Sequence, residues 1–260
     1  MSVLGDVRTR PVAEIVPARK PGRVVTAVLA LAAVGWLVHA AATGLDWGVV
    51  ARYFTATAVV DGLVTTLWLT AVTLVLGFLL GVVLATFRLS GNPVLSALGW
   101  GYVWLFRSVP LIVQLLFWFN FGAGISPLLA AVIGLTLHEA AYAAEIVRGG
   151  ILSVDAGQVE AARALGFGRV RVLRRIVLPQ AMRAIVPAAG NLLIGTLKGT
   201  SIVSVLAVQD LLHSVQLIYA RTYEVIPLLV VATVWYVIVT SLLSLAQHHV
   251  ERYFARGVRS

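Results

Sequence analysis

Of the 260 residues, 60% are hydrophobic and only 12% are charged, with a mean hydropathy of +0.94; a soluble domain carries about 25% charged residues, so the solvent implied here is lipid. The net charge of +9 gathers as arginines in short segments beside apolar runs, with no aromatic-plus-basic module, and no nucleic-acid partner is expected. The absence of cysteine excludes disulfides, thiolate metal sites and cysteine nucleophiles.

Residues 1–22, with Pro11, Pro17 and Pro21 and little periodicity, read as a disordered cytoplasmic tail. A helix needs about 20 mainly apolar residues to cross the hydrocarbon core. Six segments qualify: 24–43, 62–87, 97–121, 127–147, 184–206 and 226–248. The first ends in His39-Ala-Ala-Ala42, like a signal-peptide cleavage region, but it is longer than the roughly 7–15 residues of a signal core, so a retained helix is expected. Segment 47–60 is too short and mixed for a span and reads as an outer interfacial piece, which closes an N-terminal unit over 23–60.

Gly77 and Gly81 give the second span the spacing of a close helix contact. Arg107 and Pro110 interrupt the third, and 94–106 reads equally as a separate interfacial helix. Pro110, Pro127, Pro187 and Pro227 stand near span starts or kinks. Trp36, Trp47, Trp100, Trp104 and Tyr53 are candidate interface anchors. Six spans place both termini on one side. Sixteen Lys and Arg residues then fall on the face of the termini, Arg88 and the 148–183 segment, against only Arg52 and Arg221 opposite. This asymmetry puts both termini and the 148–183 segment in the cytoplasm.

Residues 155–179, DAGQVEAARALGFGRVRVLRRIVLP, are polar and arginine-rich between two spans. Asp155 with Gln158 forms an N-cap and its capping-box partner. Gly166 can take the left-handed conformation that ends a helix. Between them Val159, Ala162 and Leu165 form one apolar line, and Ala161 and Ala162 keep the helix slim enough for another protein's groove. Arginines at 169, 171, 174 and 175 alternate with apolar residues in a second helix, and Pro179 is expected to bend the chain back toward the membrane. A purely topological basic loop would need the charge alone; the cap, alanine pair and glycine hinge point to a stiff lever gripped by a soluble partner.

The words Glu160-Ala161-Ala162, Gly166 and Ile176-x-Leu178-Pro179 resemble the EAA loop of ABC importer membrane subunits. Phe106-Arg107-Ser108-Val109-Pro110-Leu111-Ile112-Val113-Gln114, Ala141-Tyr142-Ala143-Ala144-Glu145-Ile146-Val147-Arg148-Gly149-Gly150-Ile151 and Leu197-Lys198-Gly199-Thr200-Ser201 are similar to the polar-amino-acid branch, the histidine, glutamine and arginine permeases. Gly199 departs from the Asp that many relatives carry after the lysine, which weakens transfer of a charge-pair role to Lys198. The resemblance covers about 60–256 and implies an all-α type I importer domain over 61–256, with the coupling loop at 149–183 and the first helix additional to a five-helix core. It implies a second permease subunit, identical or sister, a cytoplasmic ATPase dimer, an extracytoplasmic solute-binding protein and a cytoplasmic (inner) membrane setting. Glu160, Ala161, Ala162, Gly166, Ile176, Leu178 and Pro179 would then couple the ATPase to the pore.

Charged groups at membrane depth usually face a bundle interior or a water path. Arg107, Gln114, Glu139 and Lys198 are the pathway candidates, with Arg107 and Glu139 suited to the carboxylate and ammonium of an amino acid; the competing reading is that they pair with one another or with helix ends. Glu145 and Arg148 read as an i,i+3 pair at the root of the loop. His138-Glu139 is half of a zinc-helix word that Tyr142 fails to complete, so no metal is expected. Neither a nucleophilic triad nor a phosphate-binding loop is present, so ATP would be bound and hydrolysed on the partner. An autonomous secondary transporter or channel is the alternative, but it leaves the loop without a role and lacks the homologous halves common in carriers.

Overall fold

The computed structural model describes residues 44–121 and 124–255, together with isolated positions between 28 and 36. The chain divides into two units, 1–45 and 46–260. In the first, Val28, Leu29, Leu31, Ala32, Gly35 and Trp36 are helical and exposed. The expected tail and most of the expected first span lie outside the described residues.

The second unit is helical, with no strand among the described residues. Its elements in order are α1 (Trp47–Phe54), α2 (Thr57–Leu89), α3 (Pro93–Ser108), α4 (Leu111–Phe121), α5 (Pro127–Leu152), α6 (Ala156–Ala164), α7 (Arg169–Val172), α8 (Leu178–Gly199), α9 (Leu211–Thr222) and α10 (Val225–Ala255). Four stretches are long and apolar enough to cross a membrane: Thr57–Leu89, Pro127–Leu152, Arg169–Leu206 and Val225–Phe254. The helices run beyond the apolar segments at several ends because hydropathy reports burial in lipid, whereas helices continue into the interface.

Segment 97–121 is not one straight span. It is α3 and α4, meeting at 104°. Pro110 explains the break: its ring pushes Val109 into an extended conformation, φ −98° and ψ 131°. Segment 47–60 likewise divides, into α1, capped by the Asp46 side chain, and the first turn of α2.

Gly77 and Gly81 form the main seam. The face of Gly77 lies against Glu139 and Ala140, and that of Gly81 against Ala143 and Ala144. The matching order along both helices makes α2 and α5 parallel, so their C-terminal ends, with Arg88 and Arg148, share one end of the bundle. A loop then returns the chain antiparallel in α8, where Gly150 is crossed by Ile185. Leu69, Leu115, Leu135, Val203 and Leu206 make the core nearer the other end. There a 3₁₀ turn, Thr200–Leu206, gives way at Ala207 (φ +58°) to the loop that Asp210 uses to cap α9.

Candidate functional site

The polar segment between α5 and α8 is an ordered hairpin at the end of the bundle that carries Arg88 and Arg148. Asp155 accepts the Gln158 amide at 3.2 Å and starts α6. The reciprocal half of the expected capping box is missing, because the Gln158 side chain instead accepts from Gln180 Nε2 at 2.6 Å and ties α6 to α8. At the other end of α6, Gly166 has φ +81°. Its amide donates to the Arg163 carbonyl (2.9 Å) and that of Phe167 to the Ala162 carbonyl (3.1 Å), the paired bonds of a Schellman turn.

Ala162, Val172 and Val177 form a small core under the turn, with Val159, Phe167 and Ile176 packed on it. Leu165, expected on the same apolar line, is 77% exposed. As the C-cap it sits where the helix has begun to turn away, so the line ends at Ala162. Glu160 and Ala161 face outward beside it. The hairpin thus uses one side of α6 to hold itself and leaves Glu160, Ala161 and Leu165 without an internal neighbour to cover them.

Pro179 does not bend the chain back. The helix runs through from α7 to α8 by way of a π turn at Leu173–Val177, in which the Leu178 amide reaches Leu173. Proline lacks the amide that would bond one turn back, and a wider turn just before it absorbs the clash. Ile176 is partly covered, and Leu178 and Pro179 are exposed on this rod.

The pathway candidates are not brought together. Gln114 is buried at the start of α4. Its Nε2 donates to the Phe106 and Val109 carbonyls at 2.9 and 2.8 Å and stands 3.2 Å from His138 Nδ1. Phe106 is four residues before Pro110, so its carbonyl has lost its helical donor, and Gln114 replaces it. Arg107 lies over the Tyr142 ring at 5.4 Å and 4.0 Å from Glu145, not beside Glu139. Glu145 also contacts Arg88 and is bonded by Arg148 at 3.0 Å, the expected i,i+3 pair.

Glu139 is buried on α5 against Gly77, with Thr196 of α8 at its carboxyl, and its Oε2 has no partner among the described residues. Lys198 is exposed and lines a cleft of about 330 Å³ with Ser201, Thr233, Tyr236 and Thr240. Sequence reasoning missed two participants. Arg88 counted only as a loop charge, although its place in the last turn of a span was a usable signal. Asp210, buried at the opposite end with Oδ2 unpartnered among the described residues, gave no signal because it follows a 3₁₀ turn rather than a recognisable motif.

Residues 77–258, which hold both the glycine seam and the hairpin, match the family described as binding-protein-dependent transport system inner membrane component. The chain belongs to this family. Among curated relatives of the permease, the arginine transport system permease protein ArgU of Corynebacterium glutamicum is 39% identical over 94% of this chain and 84% of its own length. The nopaline transport system permease protein NocM of Agrobacterium fabrum is 36% identical over 69% and 80%. The probable glutamine ABC transporter permease protein GlnM of Bacillus subtilis is 33% identical over 74% and 91%. Among solved structures, an amino acid ABC transporter with histidines superposes with TM-score 0.74 at 34% identity, covering 80% of this chain and 99% of the other. The MetNI methionine ABC transporter in an inward-facing form superposes with TM-score 0.68 at 25% identity, covering 77% and 97%. The permease is therefore an all-α, multi-pass membrane subunit of the type I importer fold, and the autonomous-carrier alternative is set aside.

Proposed function

We propose that this chain is the pore-forming, non-catalytic subunit of an ATP-driven importer of polar amino acids or closely related solutes, and that α6 is the helix its ATPase grips. The observation that carries the reading is the build of the hairpin: a slim helix fixed at both ends by the Asp155 cap and the Gly166 turn, stitched to α8 by Gln180, with Glu160 and Ala161 facing out. A rigid lever passes displacement on, whereas a loose loop would absorb it. Among the described residues, Arg88, the arginines of residues 148–183 and Arg252 lie at this end and only Arg52 and Arg221 at the other, which supports a cytoplasmic hairpin.

The remaining parts follow from that assignment. Two ATPase subunits bind and hydrolyse ATP, a second permease subunit completes the pore, and an extracytoplasmic binding protein delivers the solute. Arg107 stands at the end of the bundle that carries Arg88 and Arg148, away from Glu139, and Gln114 braces the α3–α4 break. That leaves Lys198, in its hydroxyl-lined cleft, to take the substrate carboxylate, while Glu139, buried against Gly77 and Thr196, braces the bundle. The arginine, nopaline and glutamine systems named above support an amino-acid-like cargo.

Purification of the membrane complex tests the lever. The ATPase is expected to co-elute with the wild-type chain and to be lost with Glu160→Lys while the permease stays folded; undiminished association would remove the assignment. Lys198→Met is expected to abolish uptake in assembled complexes, and normal uptake would take Lys198 out of the pathway.

A further inference from the structure

Glu145 is met by three guanidinium groups, from Arg88, Arg107 and Arg148. One carboxylate cannot neutralise three cations, so two positive charges remain in excess. They lie where helices leave the bundle: Arg88 is in the last turn of α2, and Arg148 is four residues from the end of α5. Arg107 is the outermost of the three, with its side chain 47% exposed and the longest distance to Glu145, 4.0 Å.

A cleft of about 360 Å³ opens beside it, lined by Arg88, Arg107, Trp100, Trp104, Ser108 and, as its one carboxylate, Glu145, together with Val103 and Tyr142. Trp100 and Trp104 stack at 6.1 Å and are each more than half exposed. Large amphipathic rings of this kind settle at the head-group level of a bilayer. The cleft thus offers surplus cationic charge beside two exposed aromatic rings.

We propose that this cleft binds the phosphate head group of an anionic phospholipid. Arg107 is the principal ligand, because guanidinium groups hold phosphate oxygens in a bidentate fork. Ser108 supplies a hydroxyl, and Arg88 contributes field from behind Glu145. Trp100 and Trp104 lie along the glycerol and the first carbons of the chains. Basic pockets between membrane helices are suited to such head groups. Occupancy would tie the end of α3 to α2 and α5 at the level where the hairpin begins. A free phosphate or a substrate carboxylate would present similar anionic chemistry, and the experiment separates these sources.

The permease, with its ATPase partner, is placed in nanodiscs of equal parts phosphatidylcholine and phosphatidylglycerol, extracted, and its retained lipid read by native mass spectrometry. Wild type is expected to retain phosphatidylglycerol over phosphatidylcholine. Arg107→Gln lowers that preference about fivefold, the factor one basic residue near an anionic surface supplies. Ser108→Glu does the same while leaving every arginine on Glu145, and it decides the matter if Arg107→Gln fails to assemble. Arg221→Gln, at the far end, leaves the preference intact. Equal retention of the two lipids by wild type, or an unchanged preference in Ser108→Glu, overturns the proposal. Displacement of the lipid by inorganic phosphate or by a free amino acid overturns the lipid assignment in favour of that anion.

Discussion

The hairpin lever depends on one backbone angle, and replacing Gly166 by serine tests it. Gly166 has φ +81°, where an L-residue costs roughly 1–2 kcal/mol because Cβ crowds the following carbonyl. No neighbouring atom lies near the added Cβ, so this strain is the whole local cost. Opening the turn would give up the Phe167–Ala162 and Gly166–Arg163 bonds, each worth about 0.5–1.5 kcal/mol net, so strain and opening are of similar size. The open population should therefore rise by a factor of about 5–30. Hydrogen exchange at the Phe167 amide reads this directly, and retention of the ATPase on the purified permease should fall with it. Gly168→Ser is the control: its φ is −66°, it has open space, and serine caps the α7 that follows. If both substitutions speed exchange alike, or neither does, the turn is not what holds α6, and the reasoning is wrong.

Gly81→Leu places Cβ 2.6 Å from Ala143 Cβ and 2.9 Å from the Ala144 amide nitrogen, so α2 and α5 must part, at a cost of about 1–3 kcal/mol. Thermal unfolding in detergent should drop accordingly, whereas Gly101→Leu, which meets nothing within 4 Å, should not lower it; equal effects would deny the seam. Asp210 lies between the long apolar helices, and burial raises its carboxyl from 3.8 to about 6, opposed by the His213 amide. The folded form holds the proton more tightly, so the contribution is full below about pH 4 and is lost as pH rises through 6, in all about 3 kcal/mol. Asp210→Asn keeps the cap but not the charge, so its melting temperature should exceed that of wild type at pH 8 and converge with it near pH 4. A difference that does not vary with pH would remove the titration argument.

The glycine seam was legible because a close helix contact leaves a local mark, two glycines one turn apart. The start and end of α6 were legible for the same reason: Asp155 and Gly166 act on backbone groups within three residues of themselves. The partner of Arg107 was not. Arg107 and Glu139 lie 32 positions apart and Arg107 and Glu145 lie 38 apart, and nothing in a 3.6-residue period ranks one above the other. The continuation of helix past Pro179 was also hidden, since a π turn depends on what the rest of the rod packs against.

By itself the sequence determined the solvent, the apolar stretches, the sidedness of charge and the two stops that frame the hairpin. Each is a sum over composition or a contact between near neighbours along the chain. Tertiary structure alone decided that Glu145 gathers three arginines, that Gln114 repairs the break at Pro110, and that Glu139 faces Gly77 with one oxygen unpartnered. The first and the last depend on the axial register and crossing of helices far apart in the chain, the second on the 104° bend at Pro110 that folds α4 back on α3. That register is set by how whole surfaces of side chains interlock, and no single segment records it.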